Sequence, residues 1–186
     1  MRKRLWIVLT AVAVLAVASV IALPLLAKPE LKRFKASFFD VFDTYSEVIV
    51  YAADEAAANE AMNAAHEELK AYHRLYDIYN DYEGVSNLKT VNDNAGVAPV
   101  AVDPRLIDMV AFAQEMDVKT GGRMNIGMGA VLTIWHDHRT AGIDDPVSAT
   151  LPDMAALQAA NQHTDINNLV VDRSANTLYI TDPKMR

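Results

Sequence analysis

The sequence predicts a mixed α+β domain with three helices, entered through an apolar N-terminal segment. Three observations carry that expectation. Arg2-Lys3-Arg4 precedes an uncharged run from Leu5 to Ala27. Beyond it, short stretches rich in alternating β-branched residues are interleaved with stretches whose apolar residues recur every three or four positions. A glycine-rich segment, Lys119 to Gly129, then follows one of the helical stretches. At 186 residues the chain has room for one ordinary domain plus the leading segment.

A basic start followed by an apolar run describes an export signal. The 23 residues from Leu5 to Ala27 exceed an ordinary signal-peptide core and match the thickness of a bilayer. Leu25-Leu26-Ala27 places a leucine three positions before the potential cut, a poor small-residue pattern that favours an uncleaved anchor. The basic residues then stay in the cytoplasm, and the domain lies on the extracytoplasmic side of the cell membrane. Residues 1–27 are thus read as a signal or membrane anchor, 28–37 as a linker and 38–186 as the domain. The chain has no cysteine, which excludes disulfides, thiolate metal sites and a cysteine nucleophile. Removing residues 1–27 removes three basic groups and no acid. That leaves 14 Lys+Arg against 24 Asp+Glu, a formal charge of −10. Such a surface repels phosphate backbones, so nucleic acid is not an expected partner.

In chain order, Ser46 to Tyr51 alternates polar and apolar residues and reads as a strand, led in by Phe38 to Tyr45. A helix follows, capped by Asp54 and running to about Leu75. Its buried stripe is Met62, Ala65, Leu69, Tyr72 and Tyr76. Residues 77–102 are dense in Asp, Asn, Gly and Ser and read as loops, with Val97 to Val102 at best an edge strand because of Pro99. Asp103-Pro104 opens a second helix with an N-cap and a proline at the first helical position. Ile107, Val110, Phe112, Ala113 and Met116 form its apolar side. Val131 to Trp135 is a short apolar stretch, Asp137 to Val147 an exposed loop, and a third helix begins near Pro152. Asn168 to Asp172 and Thr177 to Ile180 read as a β-hairpin around a turn at 173–176. The chain stops six residues after that strand, and the expectation is a domain incomplete at its C-terminus.

Candidate chemistry is confined to few places. Four glycines fall within nine residues at Gly121, Gly122, Gly127 and Gly129. They either let backbone N–H groups approach a phosphate-bearing ligand, or end the helix with a left-handed cap. His136 and His138 would share one face if they lay on a strand, and could then hold a metal ion. The competing reading is a polar strand end in water. Tyr72 and Tyr76 belong to the helix stripe, whereas Tyr79 and Tyr82 lie in the polar loop and are better placed to stack on a flat heterocycle. No Gly-x-Ser-x-Gly elbow and no phosphate-binding P-loop is present. Asp144-Asp145 reads as a solvated pair.

Three stretches together resemble the FAD:protein FMN transferases, the ApbE-like flavin transferase family. Phe39-Asp40-Val41-Phe42-Asp43-Thr44 stands where many members have Met-Gly-Thr. Tyr82, Ser86-Asn87-Leu88 and Asn92 are similar to the family's Tyr…Ser-x-Leu…Asn segment. Thr120-Gly121-Gly122-Arg123-Met124-Asn125, with Gly129 and Trp135, is similar to Thr-Gly-Gly-Ala-Phe-Asp…Gly-Pro-Leu…Trp.

The resemblance implies a protein outside the cytoplasmic membrane that binds FAD with Mg2+ and attaches FMN to a Thr or Ser of a target flavoprotein, releasing AMP. It implies that Phe42, Asp43, Thr44, Tyr82, Arg123, Met124 and Asn125 contact the dinucleotide, and assigns no catalytic residue. Asn125 stands where the family has aspartate, and Ala130 where it has proline. The family's later Gly-Ala-x-Ala-Lys-Gly segment and its metal-holding Asp and Thr have no counterpart here, so Mg2+ ligands are expected beyond residue 186. No transferase activity is expected from these 186 residues alone. The alternatives are an exported, non-catalytic flavin- or partner-binding module and a metal-binding surface protein using His136 and His138.

Overall fold

The computed structural model describes residues 30–185. The expected anchor over residues 1–27 therefore lies outside the described residues, among which no helix is long and apolar enough to cross a membrane. The chain divides into two compact units at Glu67/Glu68.

The first unit pairs β1 (Lys32–Phe38) antiparallel with β2 (Ser46–Ala52), in a register that sets Phe34 against Val50 and Ala36 against Val48. Strand β2 lies where the alternation put it. Strand β1 does not: six of its seven residues fall in the stretch read as a linker. Its apolar positions, Phe34, Ala36 and Phe38, alternate correctly, but Lys32, Arg33 and Lys35 hide the pattern. A lone hairpin is marginal in water. Here Phe34, Ala36, Val48 and Val50 pack on Ala58 and Met62 of helix α1 (Glu55–Tyr76), whose first turns belong to this unit. Asp54 caps α1 as expected, its Oδ1 accepting from the Ala57 N–H at 2.9 Å.

The second unit contains the remainder of α1, then α2 (Leu88–Asp93), β3 (Val100–Ala101), α3 (Pro104–Thr120), α4 (Gly129–Asp144) and α5 (Met154–Asn161). A 3-10 turn at Ile166–Asn168 leads into the hairpin β4 (Leu169–Asp172) and β5 (Thr177–Ile180). The sheet is antiparallel in the order β3-β5-β4, so β3 is an edge, as Pro99 dictates. Leu106, Ile107 and Val110 of α3 pack against Leu75, Val91, Leu169, Leu178 and Ile180 in the core. The Gln114 carboxamide donates to the Leu169 carbonyl at 2.6 Å, tying α3 to β4. The chain after β5 is also fixed: Met185 is buried, and the Gly96 N–H donates to the Ile180 carbonyl at 2.8 Å.

Five helices stand among the described residues instead of three. The stretch Val131–Trp135 and the expected loop from Asp137 are one helix, α4, with no buried residue and hence no one-sided apolar stripe to betray it. Helix α2 lies inside the segment read as loops. It is set by its cap: Asn87 Oδ1 accepts from the Thr90 N–H at 3.0 Å while Thr90 Oγ1 accepts from the Asn87 N–H at 3.3 Å. On α3, Ile107, Val110 and Ala113 are buried as the sequence suggested; Leu106 joins them, while Phe112 is 56% exposed and lies off that face.

Candidate functional site

Phe42, Asp43 and Thr44 lie in the first unit, on the turn joining β1 to β2. Val41 is fully buried and anchors it, and the Thr44 N–H donates to the Val41 carbonyl at 3.4 Å. Between them Phe42 and Asp43 adopt φ of 57° and 49°. Two left-handed central residues define the tight turn that matches strand twist, normally built from Asn-Gly or Gly-Gly. For non-glycine residues each such conformation costs on the order of 1–2 kcal/mol, a cost that clusters at ligand-binding positions. Phe42 presents an exposed ring there, and Asp43 and Thr44 are solvent-facing.

Tyr82, Arg123, Met124 and Asn125 lie in the second unit, on two loops. The first loop, 77–86, is organised by Asp77. Its Oδ1 accepts from the N–H groups of Tyr79 (2.6 Å) and Asn80 (3.1 Å), and its Oδ2 from Asn80 Nδ2 (2.9 Å) and the Tyr82 hydroxyl (2.8 Å). Burial pushes this carboxyl up, but those hydrogen bonds favour the ionised form more strongly and hold it down at about 2. The Tyr82 hydroxyl also lies 3.4 Å from His73 Nε2, so it is held by the protein, while Tyr79 projects with 65% of its surface exposed. Asn87, fully buried, donates from Nδ2 to the Asn80 carbonyl at 2.8 Å and joins the loop to α2.

The glycine segment is the second loop, and its glycines act differently from the ligand-cradling reading. Gly121 and Gly122 have φ of 63° and 78°. The Gly121 N–H donates to the Val118 carbonyl (3.2 Å) and the Gly122 N–H to the Asp117 carbonyl (2.8 Å), the paired bonds of a Schellman motif. Those donors end α3, which is the helix-cap alternative. The Gly127 N–H is taken by Asn125 Oδ1 at 2.7 Å, and Asn125 Nδ2 donates to the Thr164 carbonyl at 2.8 Å. Asn125 therefore stitches the loop to the segment after α5. What the loop offers outward is the exposed Arg123 guanidinium and the Met124 thioether, with the Met124 N–H held by Thr120 Oγ1 at 3.0 Å.

His136 and His138 lie on α4, where residues two apart point to different sides, so the shared face expected of a strand does not exist. His138 Nδ1 lies 3.1 Å from the Thr150 carbonyl, and His136 Nδ1 lies 3.3 Å from Arg139 Nη2. Among the described residues no group of three or more His, Asp or Glu could hold a metal ion. Tyr79 meets the His136 ring with centroids 6.1 Å apart, which joins the first loop to α4 and was not foreseen from sequence. Trp135, the neighbouring aromatic, is half-exposed. An open hollow of about 420 Å3 between α4 and α5 is lined by Val131, Leu157, Gln158, Asn161 and Gln162. It contains no titratable group and none of the candidate residues.

Residues 42–186 match the family model described as the ApbE family. The chain is 30% identical over 130 residues to an FAD:protein FMN transferase of Klebsiella pneumoniae, covering 69% of this chain and 34% of that protein. It is 22% identical over 115 residues to one from Chlamydia muridarum, covering 62% of this chain and 34% of that protein. In fold it is similar to the ApbE protein of Thermotoga maritima, with a TM-score of 0.66 at 17% identity over 83% of this chain and 46% of that one. It is also similar to the flavin transferase ApbE of Vibrio cholerae, with a TM-score of 0.64 at 16% identity over 83% and 47%. The chain thus spans about a third of the length of the curated relatives it matches.

Proposed function

This chain belongs to the ApbE family, and from that premise we propose that it is the dinucleotide-binding N-terminal part of an FAD:protein FMN transferase. The observation that carries the reading is the match over residues 42–186, which takes in the second and third motifs and Phe42-Asp43-Thr44 of the first. In this reading the exposed faces of Phe42, in the first unit, and of Tyr79, in the second, are separate candidates to receive a ring system of FAD. Arg123, exposed on the loop that Gly121 and Asn125 shape, faces the pyrophosphate. Tyr82 and Asp77 keep the first loop in place.

The reaction proposed for the whole protein is a phosphoryl transfer. A Thr or Ser hydroxyl oxygen of the target flavoprotein attacks the phosphorus on the FMN side, and a P–O phosphoester bond forms. The pyrophosphate bond breaks, AMP leaves with its electron pair, and the hydroxyl proton passes to solvent or a base. The family implies Mg2+ for this step, but the described residues do not fit a metal site, since no three acidic or imidazole groups converge. Placement of the domain outside the membrane rests on Arg2-Lys3-Arg4 and the apolar run after it.

The test incubates the full chain with FAD and a threonine-bearing acceptor domain, and follows acceptor mass and AMP. An FMN adduct with equal AMP release supports transfer. Saturable FAD binding without AMP is the result expected of these 186 residues taken alone and fits equally a second reading, a non-catalytic flavin-binding module; AMP release would exclude that module. Absence of both would overturn the family-based reading.

A further inference from the structure

The turn between β1 and β2 holds its two left-handed non-glycine residues, Phe42 and Asp43, against their own backbone preference. Such a turn persists only where its flanks are held. On the far flank the Tyr45 hydroxyl lies 2.9 Å from Ser37 Oγ and donates to Glu47 Oε2 at 2.9 Å, while Lys35 Nζ donates to the same carboxylate oxygen at 3.1 Å. On the near flank the hold comes from a helix. The His66 ring of α1 stacks on Phe38 with centroids 3.8 Å apart and planes 14° apart. From there His66 Nε2 lies 2.9 Å and 3.0 Å from the two carboxylate oxygens of Asp40, two residues before Phe42. The stacking fixes the ring plane, and the fixed plane aims Nε2 at the carboxylate. Only a ring with a proton on Nε2 donates in this geometry.

We propose that His66 and Asp40 are positioning residues that hold Val41 to Thr44 in the shape that receives FAD. This rests on the reading of Phe42, Asp43 and Thr44 as flavin contacts. Neither residue touches the ligand in this scheme. They act through the backbone of the turn, and α1 thereby sets the geometry of a loop that its own sequence does not contain.

Two readouts on the full chain keep the positioning claim separate from the flavin claim. The first is amide exchange at Thr44, whose N–H closes the turn, with Val48 and Val50 of β2 as internal references. The second is FAD affinity by fluorescence quenching. His66→Ala and Asp40→Ala should each raise Thr44 exchange and weaken FAD binding by about fivefold, the low end for a charge-assisted hydrogen bond with one exposed partner. The double variant should be no worse than either single one, because both remove the same contact. His66→Gln, which keeps a donor near the Nε2 position, should recover most of both effects. A purely architectural role would raise exchange at Val48 and Val50 as well and show no recovery in His66→Gln, and that outcome overturns the proposal. So does unchanged Thr44 exchange in His66→Ala, whatever happens to FAD. If the wild-type chain binds no FAD while Thr44 responds selectively, the flavin reading fails and the His66–Asp40 brace stands.

Discussion

Gly121 and Gly96 require glycine for different reasons, and substitution separates them. A Cβ built on Gly121 meets nothing within 4 Å, so only its φ of 63° demands glycine. Gly121→Ala should therefore cost about 1 kcal/mol, seen as a lower thermal midpoint with the fold intact. Gly96 has φ of 72°, and a Cβ there would sit 2.6 Å from Pro183 Cβ and 3.0 Å from its Cα. Gly96→Ala should cost more than Gly121→Ala, because the backbone of the last segment must move as well. Asn87 is the buried polar counterpart. Replacing it by alanine leaves the Asn80 carbonyl and the Thr90 N–H without their partner and should cost about 1–3 kcal/mol in denaturant unfolding. Its role was half legible: Asn-x-x-Thr is a capping pattern, but the density of turn-formers around it hid the short helix it starts.

At the scale of elements, the loop 77–86 is the best-defined case. Asp77 is held at about 2, below its ordinary value near 4, so the hydrogen bonds it accepts favour the folded loop whenever it is ionised. The sign follows directly. This contribution is complete above about pH 4 and is lost as the pH falls towards 2. Tyr82 environment, followed by its near-ultraviolet signal, should hold steady to pH 4 and change between pH 4 and 2. Asp77→Asn should abolish that transition and leave the loop looser at neutral pH. Helix α4 shows where sequence reasoning stops. The apolar residues Val131, Leu132, Ile134 and Trp135 crowd into five positions broken only by Thr133, too short a run to display a period, and no side chain of the helix is buried. Without a one-sided stripe, the period that betrays a helix has nothing to act on. Helix α3 shows the opposite at its start: Asp103-Pro104 placed that end correctly because caps are local chemistry.

For the molecule as a whole, the order of elements was readable apart from β1, α2 and α4, and the site only partly so. Alternation found β2 and the β4–β5 hairpin, capping marked the starts of α1 and α3, and apolar spacing after Pro152 found α5. The conformation of Phe42 and Asp43 was not readable, since neither residue type advertises a left-handed backbone. The use of Gly121, Gly122 and Gly127 donors within the protein was equally hidden, because a glycine run has the same composition whether it caps a helix or cradles a phosphate. The exposed candidates are thus Phe42, Asp43 and Thr44 in the first unit, and Tyr79, Arg123 and Met124 in the second. The most direct measurement is titration of FAD into the full chain, followed by flavin fluorescence, for the wild type and Arg123→Glu. The expected result is saturable quenching in the wild type, weakened about tenfold or more when the guanidinium proposed to face the pyrophosphate becomes a carboxylate. Absence of saturable quenching, or equal affinity in both proteins, would contradict the assignment of this chain as a dinucleotide-binding part of a flavin transferase.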